Sequence, residues 1–86
     1  MQLGKTDEAL PLLQSALEAS TRKFGRDNYR TAEAHLGLGE CLQAMGRRQD
    51  AQAALLAARA IVEPQRRKQP MLLAEVERGL QRNGAP

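Results

Sequence analysis

The chain has no tryptophan, a single phenylalanine (Phe24), a single tyrosine (Tyr29), one cysteine (Cys41) and one histidine (His35). So few aromatic residues argue against a pleated sheet, whose strands favour aromatic and β-branched side chains, while abundant leucine and alanine argue for helices. The expected class is all-α. One cysteine excludes an internal disulfide and a multi-cysteine zinc site, and a reducing, cytoplasmic setting is the simplest expectation. One histidine leaves a metal site short of its commonest ligand, so none is expected. No run approaches the ~20 apolar residues of a membrane span, and the opening MQLGKTDEAL lacks the apolar centre of a signal peptide.

Catalytic groupings are equally scarce. Cys41 and His35 are the only nucleophile and base of the usual types, and six helical residues turn them about 240° apart around one axis. Glu33 and Glu40 share a helical face, but a rise of ~10.5 Å over seven residues separates them too far for a glycosidase pair. Gly37 and Gly39 lie inside a helical pattern rather than after a strand, so they read as close helix contacts and not as a phosphate loop. No enzyme activity and no cofactor is expected. The formal charge of +3 is mild. Glu33, Glu40, Glu75 and Glu77 interrupt any continuous basic stripe, which argues against nucleic acid as a partner.

What is present is helical periodicity, in amounts suited to one small domain. Ala34, Leu38, Leu42 and Met45 recur at steps of three and four, as do Ala51, Leu55, Ala58 and Val62 after Gly46. Pro64 ends the second of these stripes because it lacks an amide donor and restricts Glu63. An earlier helix is expected from about Thr6 to Phe24, with Pro11 on its polar side, and a last one from about Pro70 to Arg82. Asn83-Gly84 suits that helix's end, and the tail beyond frays. Gly25, Asp27 and Asn28 mark the first interhelical loop.

The two halves of the chain repeat. An offset of 42 pairs Gly4 with Gly46, Ala9 with Ala51, Leu13 with Leu55 and Ala16 with Ala58, and continues with Ala32 and Ala74, Gly37 and Gly79, and Leu38 and Leu80. Such a unit buries its apolar face by stacking on neighbours. Under this offset Gln2 and Leu3 fall on the last residues of a helix whose body is missing.

Gly4, Ala9, Leu13, Ala16 and Leu17, and then Gly39, Leu42, Gly46, Ala51, Leu55 and Ala58, resemble the pattern of a tetratricopeptide repeat. The loop FGRDNYRTA resembles the connector of its kinesin-light-chain-like variety. The chain departs from the pattern at Thr6, His35 and Arg48, and in the second connector, EPQRRKQPM. The resemblance implies a right-handed α-solenoid fragment of four antiparallel helices. Residues 1–28 are the second helix of a truncated repeat with its loop, 29–63 a complete repeat, 64–82 the first helix of a degenerate or capping repeat, and 83–86 a tail. It also implies a C-terminal piece of a longer array, acting as a non-catalytic module that takes a protein or peptide partner.

In that family the first helices of the hairpins line a concave groove, which here implies Glu33, Leu36, Glu40, Gln43, Glu75, Arg78 and Arg82. The first helix carries an apolar arc of about 160°, wider than one neighbour needs. Leu10, Leu12, Leu13, Leu17 and Phe24, with Leu56 on the opposite side, are therefore expected to form an edge covered by a second copy or by the rest of a parent chain.

Overall fold

The computed structural model describes residues 3–84, with side chains from Glu8 onward. Four helices follow one another: α1 (Leu3–Phe24), α2 (Tyr29–Ala44), α3 (Arg48–Val62) and α4 (Pro70–Gly84), with a single 3₁₀ turn, Glu63–Gln65, after α3. No strand occurs among the described residues. The boundaries have local causes. Gly25 takes φ +93° at the end of α1, a left-handed conformation that costs glycine nothing. Asn28 then caps α2, its side-chain oxygen accepting from the Arg30 N–H at 2.9 Å. Thr31, almost fully buried, donates its hydroxyl back to the Gly25 carbonyl at 2.7 Å and so ties the loop to the helix it precedes.

The turn between α2 and α3 closes as a Schellman motif around Gly46 at φ +79°. The Arg47 N–H donates to the Leu42 carbonyl and the Gly46 N–H to the Gln43 carbonyl, satisfying two of the last free carbonyls of α2. A connection this short makes α2 and α3 antiparallel neighbours. Pro64 stops α3 at Val62 and sits inside the 3₁₀ turn. There the Gln65 amide donates both to the Ile61 carbonyl and across the molecule to the Asp27 carbonyl at 2.6 Å, joining the two connectors.

Packing runs in a row. α1 lies on α2, α2 on α3 and α3 on α4, while α2 and α4 also touch each other. The stripe expected on α3 is the centre of the molecule: Ala51, Leu55, Ala58 and Val62 are all fully buried. Leu55, Ala58 and Val62 share one core with Ala32 and Leu36 of α2 and with Leu72 and Val76 of α4. Leu42, Ala51 and Ala54 form a second core, covered in part by Leu10 and Leu38. The architecture is a short α-solenoid of helical hairpins.

One contact occurs twice, 42 residues apart. A Cβ placed on Gly37 would lie 3.6 Å from Leu13, and a Cβ on Gly79 would lie 3.1 Å from Leu55. The junction of α1 with α2 is thus built like that of α3 with α4.

Three expectations require correction. α1 begins at Leu3 rather than at about Thr6 and runs through Gly4, so Leu3 belongs to this helix and not to the end of an earlier one. Among the described residues no helix precedes Gly4 for it to cap, whereas Gly46 has all of α2 before it. α4 continues to Gly84, and Asn83 is not part of a frayed tail. It is buried, and its amide donates at 3.0 Å to both the Arg48 carbonyl and the Gln52 side chain at the start of α3. Leu10 and Leu13 face inward rather than along a free edge, since Leu10 packs on the second core and Leu13 approaches Gly37.

Candidate interaction groove

The contact of α2 with α4 sets the first helices of successive hairpins side by side, and an open trough of about 450 Å³ runs between them. Its floor is apolar. Leu36 of α2 and Leu72 of α4 are nearly buried there, held by the larger core. Gly37 contributes no side chain and keeps the trough wide. Its walls carry the carboxylates of Glu33, Glu40 and Glu75, joined by Gln69 and by Met71, which is 78% exposed.

Of the residues expected to line the groove, Glu33, Leu36, Glu40 and Glu75 do so, Leu36 as floor rather than as a free side chain. Gln43, half-buried, and Arg78, exposed, lie outside the lining. Arg82 also lies outside it but ion-pairs with Glu40 at 3.8 Å, an exposed contact worth at most about 1 kcal/mol. Glu40 is therefore countered at one end. Among the described residues Glu33 and Glu75 enter no ion pair, so the other end keeps its negative charge. These two glutamates occupy the same place in successive units, 42 residues apart.

Gln69 and Met71 escaped the sequence reading because the second connector lacks the pattern of the first. The signal was nevertheless there. Carrying the offset of 42 through that connector puts Met71 on Tyr29, the first residue of α2, and marks it as the opening of another first helix.

Cys41 and His35, the nucleophile and base considered for chemistry, do not line this trough. Cys41 is buried on α2. His35 is half-buried, and desolvation lowers its pKa below the ordinary 6.5. Among the described residues no group of His, Cys, Asp and Glu is arranged to hold a metal ion, and no helix is long and apolar enough to cross a membrane.

The edge residues divide. Leu12 is 72% exposed, Leu17 is half-buried, and Leu56 is exposed on the far side of α3. Phe24 is partly exposed beneath two cations, with the Lys23 ammonium 5.3 Å and the Arg30 guanidinium 5.1 Å from its ring centre.

A helical row with glycine and alanine at its crossings and first helices lining one trough is what a repeat family would build. The family model for the tetratricopeptide repeat matches residues 1–63. The chain belongs to the tetratricopeptide repeat family. The match covers α1, α2 and α3, and α4 extends the tetratricopeptide row beyond it. Tetratricopeptide repeats generally mediate protein–protein interactions and are typically non-catalytic. Comparisons with curated proteins and with solved structures gave no match.

Proposed function

We propose that this chain is a non-catalytic interaction module whose α2–α4 trough receives an extended protein segment with Lys or Arg next to an apolar residue. The observation that carries this reading is the pair Glu33 and Glu75, repeat-equivalent carboxylates without ion-pair partners among the described residues, beside the exposed Met71. Cations of a ligand answer the carboxylates, and its apolar residue answers Met71 over the Leu36 and Leu72 floor. Opposite charges across such a site contribute mainly specificity and association rate, so binding weakens as salt rises.

We read the module as the closing part of a longer, kinesin-light-chain-like array in a reducing, cytoplasmic setting. The outer face of α4 supports the closing position. Where α2 presents Gly39 to its following helix, α4 has Gln81. A Cβ at Gly39 would lie 2.9 Å from Leu55, so Gln81 opposes an equally close helix there, as a polar capping face would.

Fluorescence anisotropy with a labelled peptide of alternating lysine and leucine tests the groove, against a control in which glutamate replaces lysine. The basic peptide should bind, and the Glu33→Gln/Glu75→Gln double variant should weaken it by about tenfold or more. Equal binding of the acidic control, or no effect of the double variant, would remove the groove from the function.

A further inference from the structure

The long connectors gather positive charge on one rim of the helical row. The end of α1 and the loop to α2 carry Arg22, Lys23, Arg26 and Arg30, and the connector from α3 to α4 adds Arg66, Arg67 and Lys68. The Gln65 amide, on the Asp27 carbonyl at 2.6 Å, holds the two connectors together. All of these cations are exposed. Within residues 22–30 and 63–69 the carboxylates of Asp27 and Glu63 alone oppose them, so the rim is more positive than the +3 of the whole chain. Glu63 is shared between Arg59 and Arg66, at 3.7 and 3.5 Å. Arg22, Arg26, Arg67 and Lys68 enter no ion pair among the described residues. The opposite rim is better balanced, with Arg47 on Asp50 at 3.9 Å and Arg82 on Glu40 at 3.8 Å.

This rim stays open whatever the length of the row. Repeats added before α1 or after α4 stack on helix faces and leave the connectors at the side. The arrangement also selects its anion. Arginine predominates, and its planar fork takes a carboxylate through two parallel hydrogen bonds. Arg30 is held in place beforehand: its guanidinium lies 5.1 Å from the ring centre of Phe24 and 5.6 Å from that of Tyr29, so less side-chain freedom is lost when an anion arrives. The same stacking argues against single-stranded nucleic acid, whose bases need an open aromatic face, since Phe24 already carries Lys23 and Arg30. A membrane surface would want an apolar anchor beside the charge, and residues 25–28 and 66–69 contain no large apolar side chain. We infer that this rim docks an acidic segment of a protein partner, whose Asp and Glu carboxylates sit among Arg26, Arg30, Arg67 and Lys68. It is a second surface, opposite in sign to the α2–α4 trough, and none of its cations lines that trough.

Fluorescence anisotropy of the full chain with a labelled peptide of alternating glutamate and glycine tests the rim. The parent should bind at low salt and more weakly as salt rises. Arg26→Gln/Arg67→Gln/Lys68→Gln should weaken binding by about tenfold or more, with circular dichroism unchanged. Arg47→Gln/Arg78→Gln/Arg82→Gln removes the same charge elsewhere and should change binding by less than about threefold. Arg30→Lys keeps the charge without the fork and should weaken binding severalfold. Glu33→Gln/Glu75→Gln should leave it intact, and the rim variant is the background on which the trough is measured free of the rim's hold on an acidic control. A parent that does not bind the acidic peptide at low salt, or equal losses in the two triple variants, would overturn the inference. So would binding of oligouridylate or phosphatidylserine vesicles that is tighter than that of the peptide and is lost in the rim variant, because the occupant would then be a nucleic acid or a membrane.

Discussion

Leu55 of α3 fills the space that a side chain on Gly39 of α2 would need: a Cβ there would lie 2.9 Å from both its Cγ and its Cδ2. Gly79 of α4 approaches the same leucine, a Cβ there lying 3.1 Å from the same Cδ2, and Leu55 is fully buried with little room to yield. Two helices thus approach α3 at one residue, and each does so at a glycine.

From this follows a graded series. Gly39→Ala introduces overpacking of about 1 to 3 kcal/mol against a helix-propensity gain of about 1 kcal/mol, so a net loss of up to about 2 kcal/mol is expected. Gly37→Ala meets only ordinary contact with Leu13 at 3.6 Å, and the propensity gain should stand as about 0.5 to 1 kcal/mol of added stability. Urea denaturation of the two variants decides. A Gly39→Ala chain stabilised as much as Gly37→Ala would show that Leu55 is free to move.

The α3 stripe was legible because a 3.6-residue period is a local property: Ala51, Leu55, Ala58 and Val62 needed only their spacing to be placed on one face, and all four are fully buried. Gly39 was legible as a close contact, but not that Gly39 and Gly79 share Leu55, because that depends on how three helices meet. The arc on α1 shows the limit of the method. Width on a helical wheel says that residues are apolar, and it does not say which neighbour takes which part. Leu10 and Leu13 accordingly turn inward while Leu12 faces out. Asn83 was misplaced for a related reason: Asn-Gly is a local stop signal, and its hydrogen bonds reach residues 31 and 35 positions away.

His35 makes stability depend on pH. Burial pushes its imidazole below the ordinary 6.5, so the unfolded chain takes up a proton at a higher pH than the folded chain does. Stability from this residue is present above about pH 6.5 and is lost as pH falls through the lowered folded value. Denaturation midpoints measured from pH 7.5 down to 5 should therefore decline, and His35→Gln should flatten the decline. An unchanged slope in the variant would assign the pH dependence to other groups.

The last expectation concerns the lock between the end of α4 and the start of α3. Asn83 donates from one nitrogen to two acceptors, the Arg48 carbonyl and the Gln52 side-chain oxygen, while its own buried oxygen accepts no hydrogen bond. The effect of substitution therefore turns on what replaces the donor. Asn83→Leu keeps much of the volume and removes the unsatisfied oxygen, but it takes the donor from the Arg48 carbonyl and the Gln52 oxygen, so it should cost about 1 kcal/mol or less. Asn83→Ala also opens space and should cost about 1 to 2 kcal/mol. Asn83→Asp sets a carboxylate against the Arg48 carbonyl, which cannot turn into a donor, and should be the most damaging of the three. Urea melts give the order. Hydrogen exchange should place the loss in α4, whose amides open first once its end is released. If Asn83→Asp were as stable as the parent, the amide would not be the group that holds α4 to α3.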